Sequence, residues 1–116
     1  MSHILALLKE VRARPGMYIG AASLTRLAAF LRGFELAAER FGSAKPDDFL
    51  QDFRDWIHQR CGMATLSWED TILKQSTGEA DGLKRFWDFL DEYLVQRQGK
   101  YALPEVQFTG PKEQFR

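Results

Sequence analysis

The sequence predicts an all-α protein, with about five helices packed as a compact single-domain bundle over residues 1–116. Apolar residues recur at three- and four-residue spacing along several long stretches, which is the period of an amphipathic helix. Capping residues precede these stretches and glycines follow them, as at helix ends. With 116 residues, 45% of them hydrophobic and 28% charged, the chain is long enough for one self-supporting core.

The first helix begins at Ser2, a capping residue, and ends before Pro15. An extended segment at residues 15–20 is predicted to follow it, because proline fixes φ and removes a backbone donor. Gly16 and Gly20 allow backbone conformations that other residues resist. The apolar residues between them, including Met17 and Ile19, are expected to anchor this crossing on the core.

The second helix is predicted from Ser23, its cap, to about Phe41. Gly33 lies in the middle of this helix, where glycine costs about 1 kcal/mol relative to alanine. Either another element crosses the helix there or the helix bends, and the unbroken periodicity favours a crossing. The apolar stripe of this helix comprises Leu24, Leu27, Ala28, Leu31, Phe34 and Ala38.

Three further helices are predicted. One starts at residues 45–48 and ends near Gly62, a short one is capped by Ser67, and a long one covers residues 79–98. Residues 99–116 lack helical periodicity and predict an irregular, extended C-terminal tail. Gly82 is expected only to weaken the first turn of the long helix, and the three tryptophans are expected to face the core: Trp56, Trp68 and Trp87.

Charge is unevenly distributed although the net charge is zero. Residues 1–45 carry seven basic and three acidic side chains, whereas residues 46–92 carry eleven acidic and five basic ones. Overall neutrality argues against general nucleic-acid binding. The acidic middle either faces a basic partner or forms the solvated faces of helices.

Neither a secretory signal nor a membrane-spanning stretch is recognisable, so we expect a cytoplasmic protein that does not bind membranes. The single cysteine, Cys61, excludes an intrachain disulfide and suits a reducing compartment. His58 lies three residues before it, but no orienting group or oxyanion hole is visible for a nucleophilic site. Since metal-ligand spacing and phosphate-binding loops are also lacking, we predict no enzyme activity, no metal and no cofactor.

Candidate partner-binding residues are exposed charges and one tyrosine. Asp48, Asp52 and Asp55 share one helix face by their spacing, which suits docking of a basic protein but also an ordinary solvent-facing side. A binding hot spot would combine such carboxylates with an aromatic residue or an arginine. The full candidate set is Arg14, Tyr18, Asp48, Asp52, Asp55, Glu69 and Asp70.

The segment Arg14–Gly20, Arg-Pro-Gly-Met-Tyr-Ile-Gly, resembles the N-terminal region of gyrase B-type ATPases. In that family, a helix with a catalytic glutamate and a magnesium-binding asparagine follows. Continuing the register places these roles at Phe30 and near Phe34, which cannot perform them. We therefore expect a local resemblance without ATPase activity.

A wider resemblance covers most of the chain and is to small, uncharacterised bacterial helical proteins, some associated with toxin–immunity gene neighbourhoods. It rests on five segments in this order: Arg14–Gly20, Ser23-Leu24 with Phe30-Leu31-x-Gly33-Phe34, Phe53-x-x-Trp56-Ile57, Ser67-Trp68 and the run at residues 86–93. The resemblance implies a bacterial binding protein, concretely an immunity protein that occludes the active site of a cognate toxin. The alternative is a small ligand-binding or regulatory protein that uses the Arg14–Gly20 loop. Either could be a monomer or a homodimer.

Overall fold

The computed structural model describes residues 3–42, 48–62 and 65–97, and all regular secondary structure in these ranges is helical. The prediction of a mostly α-helical bundle is therefore confirmed. Two predicted features, the proline-containing start of the third helix and the C-terminal tail, lie outside the described residues. The helices are α1 (His3–Ala13), α2 (Pro15–Tyr18), α3 (Leu24–Phe41), α4 (Phe49–Cys61), α5 (Trp68–Lys74) and α6 (Glu79–Gln96).

The extended segment predicted at residues 15–20 is wrong, because residues 15–18 form the short helix α2. Pro15 occupies the first helical position, where its missing N–H would have no helical partner anyway. The Met17 side chain is 70% exposed and does not anchor the segment, whereas Ile19 is buried as expected. Gly20 does adopt a left-handed backbone, with φ of 81°, but Gly16 is helical.

The start of α3 is held by two side chains. Ser23 caps it as predicted, and its oxygen accepts a hydrogen bond from the Arg26 backbone N–H at 3.1 Å. Glu79, at the start of α6, accepts bonds from the Ser23 hydroxyl at 2.9 Å and from the Thr25 backbone N–H at 2.8 Å. These bonds satisfy N–H groups that lack a partner inside the helix. They also tie the beginnings of α3 and α6 together.

Aromatic rings from α4 and α6 fill the centre of the bundle. The Phe53 ring lies 5.5 Å from that of Phe86 and 5.1 Å from that of Tyr93, and all three side chains are fully buried. Trp56 and Trp68 are buried as expected, and half-buried Trp87 packs against the same core. Burial of several large rings supplies much of the apolar driving force for folding.

The packing around the two glycines inside long helices is the opposite of what the sequence predicts. A Cβ at Gly33 would meet no atom within 4 Å, so the predicted crossing at that residue is wrong. A Cβ at Gly82 would lie 2.9 Å from Leu73 Cδ2 and 3.3 Å from Leu24 Cδ2. Gly82 therefore allows α3 and α5 to approach α6 closely.

Candidate protein-binding surface

Part of the acidic middle region is neutralised by the basic N-terminal region. The Arg12 guanidinium donates two hydrogen bonds to the Asp91 carboxylate, at 2.7 and 2.9 Å, and lies over the Trp87 ring. The hydrogen bond to Asp91 is the main reason that the pKa of Arg12 is raised. The uneven charge distribution along the sequence thus partly reflects pairing between α1 and α6 rather than a free acidic surface.

Glu69 is a second case, and its place in the candidate set needs correction. Its side chain is buried at the start of α5, and one carboxylate oxygen pairs with Arg32 of α3. The other oxygen, Oε1, is buried and has no hydrogen-bond partner among the described residues. Because Glu69 is enclosed and ion-paired, it is not an accessible contact for a partner.

The aspartate candidates remain at the surface. Asp48 precedes α4 and is exposed, and exposed Asp55 accepts a hydrogen bond from the Gln51 amide at 3.0 Å. Asp52 lies between them on α4 and is half-buried. Asp70 is exposed in the first turn of α5, where a negative charge suits the helix dipole. These residues stay predictions as partner contacts.

Arg14 and Tyr18 lie at the two ends of α2. Arg14 is exposed, and its backbone carbonyl accepts from the Met17 N–H at 3.1 Å. The Tyr18 hydroxyl donates to the Glu10 carboxylate at 2.7 Å, which raises the pKa of Tyr18. Its ring packs edge-on against Phe30, with the centroids 6.2 Å apart. Tyr18 therefore connects α1 with α3 and has its polar group already satisfied.

Two polar side chains considered for catalysis are engaged by different neighbours. The His58 Nε2 donates to the Leu66 carbonyl at 2.7 Å, while the Cys61 Sγ accepts from the Gln75 amide at 3.2 Å. Within residues 3–42, 48–62 and 65–97, no three His, Cys, Asp or Glu side chains are grouped to hold a metal ion. In the same ranges, no helix has the length and apolarity to cross a membrane.

Helix α3 is the element whose burial departs most from its sequence pattern. Its buried residues are Leu24, Leu27, Ala28 and Leu31, all in its first half. The stripe was expected to remain in the core as far as Ala38, but Phe34 is only half-buried and Ala38 is exposed. The second half of α3 therefore extends beyond the packed core.

The side of α3 that points away from the core is also apolar. At 100° per residue, one face turns away from the buried stripe, and we call it the α3 outer face. Phe41 and Leu36 are the largest side chains on it, 86% and 50% exposed. The α3 outer face consists of Ala29, Gly33, Leu36, Ala37 and Phe41, which are all exposed.

Two charged residues of α3 form ion pairs with neighbouring helices. Arg32 pairs with Glu69 on α5, and Glu35 pairs with Arg54 on α4 at 3.2 Å. Glu39 follows one turn after Glu35 on the same side of the helix. The α3 outer face consequently carries no charge between Arg26 and Arg40, the reverse of an ordinary surface helix.

The candidate residues predicted from the sequence do not include this surface, because they are charged residues and one tyrosine. The pattern is nevertheless readable, since between Arg26 and Arg40 the positions opposite the apolar stripe of α3 hold alanine, glycine and leucine where charges are usual. Contiguous exposed apolar area on a folded domain marks an interaction site more often than a scattered apolar side chain does.

No family model, curated protein or solved structure is significantly similar to this chain. Inference about function therefore rests on the geometry described above and on the sequence resemblance.

Proposed function

We propose that this chain is a non-enzymatic bacterial binding protein, and concretely an immunity protein that neutralises a cognate toxin by covering its active site. The observation that carries the proposal is the α3 outer face, an exposed apolar surface that has no charged residue between Arg26 and Arg40. Desolvation of exposed apolar groups such as Phe41 and Leu36 is a common source of binding free energy at protein interfaces. The resemblance to proteins from toxin–immunity neighbourhoods supports a toxin as the partner.

Polar residues near the α3 outer face supply a rim. Arg40 lies on the outer side of the helix, and Glu39 lies on the same side of the helix as Glu35. Both residues are exposed. An apolar centre with charged residues at its border is the usual composition of a protein–protein interface. The exposed aspartates Asp48 and Asp55 are a second set of candidate contacts.

The experiment is to measure binding between the full chain and the toxin encoded next to it, and to test protection of cells that express this toxin. A double variant, Leu36→Asp with Phe41→Asp, should raise the Kd by about 30-fold or more, because both apolar contacts are lost and two charges must be desolvated. Protection of the cells should decrease in parallel.

The matched control is Val95→Asp, because Val95 is a 68% exposed apolar residue that belongs to α6 and not to the α3 outer face. It should leave Kd unchanged, and all variants should keep the free energy of unfolding within about 0.5 kcal/mol of wild type. Wild-type affinity in the double variant would remove the α3 outer face from the proposal. A wild-type chain that neither binds the toxin nor protects cells would end the immunity proposal itself.

A further inference from the structure

We infer that the occupant of the α3 outer face is an amphipathic α-helix of the partner, with carboxylates near the ends of its apolar side. This inference rests on the proposed binding function and specifies the chemistry of the partner. It depends on two features of the face: its shape along the helix axis and the sign of the charges at its ends.

The shape favours an elongated element lying along α3. Ala29, Gly33 and Ala37 follow one another at four-residue spacing along the middle of the face, and Leu36 and Phe41 stand at its sides. A Cβ at Gly33 would meet nothing within 4 Å, so this part of the face is open. Since the distance between packed helices depends on the side chains at the contact, small residues allow another helix to come close.

The two charged residues on the outer side of α3, one near each end of the face, are both arginines. Arg26 and Arg40 are exposed on the outer side of α3, and 14 residues of helix separate them by about 21 Å. The Arg26 guanidinium also donates to the Ile19 carbonyl at 3.2 Å, which fixes its position beside the helix. A partner helix of about four turns with a carboxylate near each end would complement both cations.

The same charges disfavour a second copy of this chain as the occupant. An antiparallel pair of α3 helices centred on Gly33 would place Arg26 of one copy against Arg40 of the other. A parallel pair would place identical arginines together. Like charges across an interface oppose association, so the face suits a different, acidic helix better than its own copy.

The test uses two synthetic helical peptides of about 18 residues with the same alanine and leucine face. One carries glutamates near both ends of that face, and the other carries lysines at those positions. Fluorescence anisotropy against the full chain at low salt should give a Kd about tenfold lower for the glutamate peptide. The Arg40→Glu variant should abolish or reverse this preference.

Two variants separate a specific contact from general effects. Lys84→Glu changes the net charge as much as Arg40→Glu does, but on α6, where the Lys84 side chain is 76% exposed, and it should leave the preference intact. Gly33→Leu should weaken binding of the glutamate peptide at least tenfold without lowering the thermal midpoint, since the added side chain has open space and leucine is a better helix former than glycine.

Several results would overturn the inference. The inference is overturned if the glutamate peptide does not bind, if both peptides bind equally, or if Gly33→Leu does not change the affinity for the glutamate peptide. If the protein sediments as a dimer and the two copies associate through this face, the occupant is a second copy. Binding that appears only after removal of residues 98–116 would identify a segment of the chain itself. If the toxin loses affinity for the Leu36→Asp, Phe41→Asp variant but the peptides do not bind, the proposed function stands and only the helical partner is rejected.

Discussion

The two halves of α3 share one helix but have opposite relations to the rest of the protein. In the first half, Leu24 and Leu27 are fully buried, and Glu79 holds the helix start. In the second half, Leu36 and Phe41 are exposed. The same residue type, leucine, therefore supports the fold in one half and is available to a partner in the other. Helical periodicity alone does not separate these two uses.

The largest effect that tests this difference comes from a pair of leucine truncations. Leu27→Ala removes a fully buried side chain and should lower the free energy of unfolding by about 2–5 kcal/mol, through lost burial and a cavity. Leu36→Ala should change it by less than about 0.5 kcal/mol, because half of that side chain is already in water. Urea unfolding of both variants measures the contrast, and similar losses would show that the second half also carries the fold.

A pair of valine substitutions sharpens the comparison at the glycines. Gly82→Val places a Cβ against Leu73 and Leu24 and should lower the free energy of unfolding by about 1–3 kcal/mol through overpacking. Gly33→Val has open space and should change stability by less than about 0.5 kcal/mol, with the better helix propensity of valine as its main effect. Thermal unfolding of the two variants compares them, and a Gly82→Val protein as stable as wild type would contradict the close contact.

Local signals predicted the helices well, because caps and periodicity are read from neighbouring residues. Ser23 and Ser67 cap α3 and α5 as expected, and Gly62 ends α4 with a left-handed backbone. The exception is Pro15, which was interpreted as the start of an extended segment. Proline also suits the first position of a helix, and here that preference prevails.

Long-range packing explains what the sequence could not predict. The sequence does not predict the burial of Glu69, because its partner, Arg32, lies 37 residues away and no local pattern links the two. The exposed end of α3 has a geometric cause: its buried residues and its bond to Glu79 of α6 lie in its first half, where Gly82 of α6 also comes close to Leu24. A sequence stripe shows which face of a helix is apolar, but the places where neighbouring helices contact it decide how much of that face is covered.

The smallest expected effect concerns the contact that holds the first half of α3. Hydrogen bonds from Thr25 and Ser23 lower the pKa of Glu79, so the ionised carboxylate stabilises the folded state. This contribution is complete above the ordinary pKa of a glutamate and is lost as the pH falls through the lowered value. Because Glu79 is exposed, solvent screening limits the contribution to about 0.5 kcal/mol.

Glu79→Ala should therefore be less stable than wild type at pH 7, and the difference should shrink by about that amount at pH 3. Chemical denaturation at both pH values measures these differences, and a gap between Glu79→Ala and wild type that does not narrow at pH 3 would show that the carboxylate charge does not hold the start of α3.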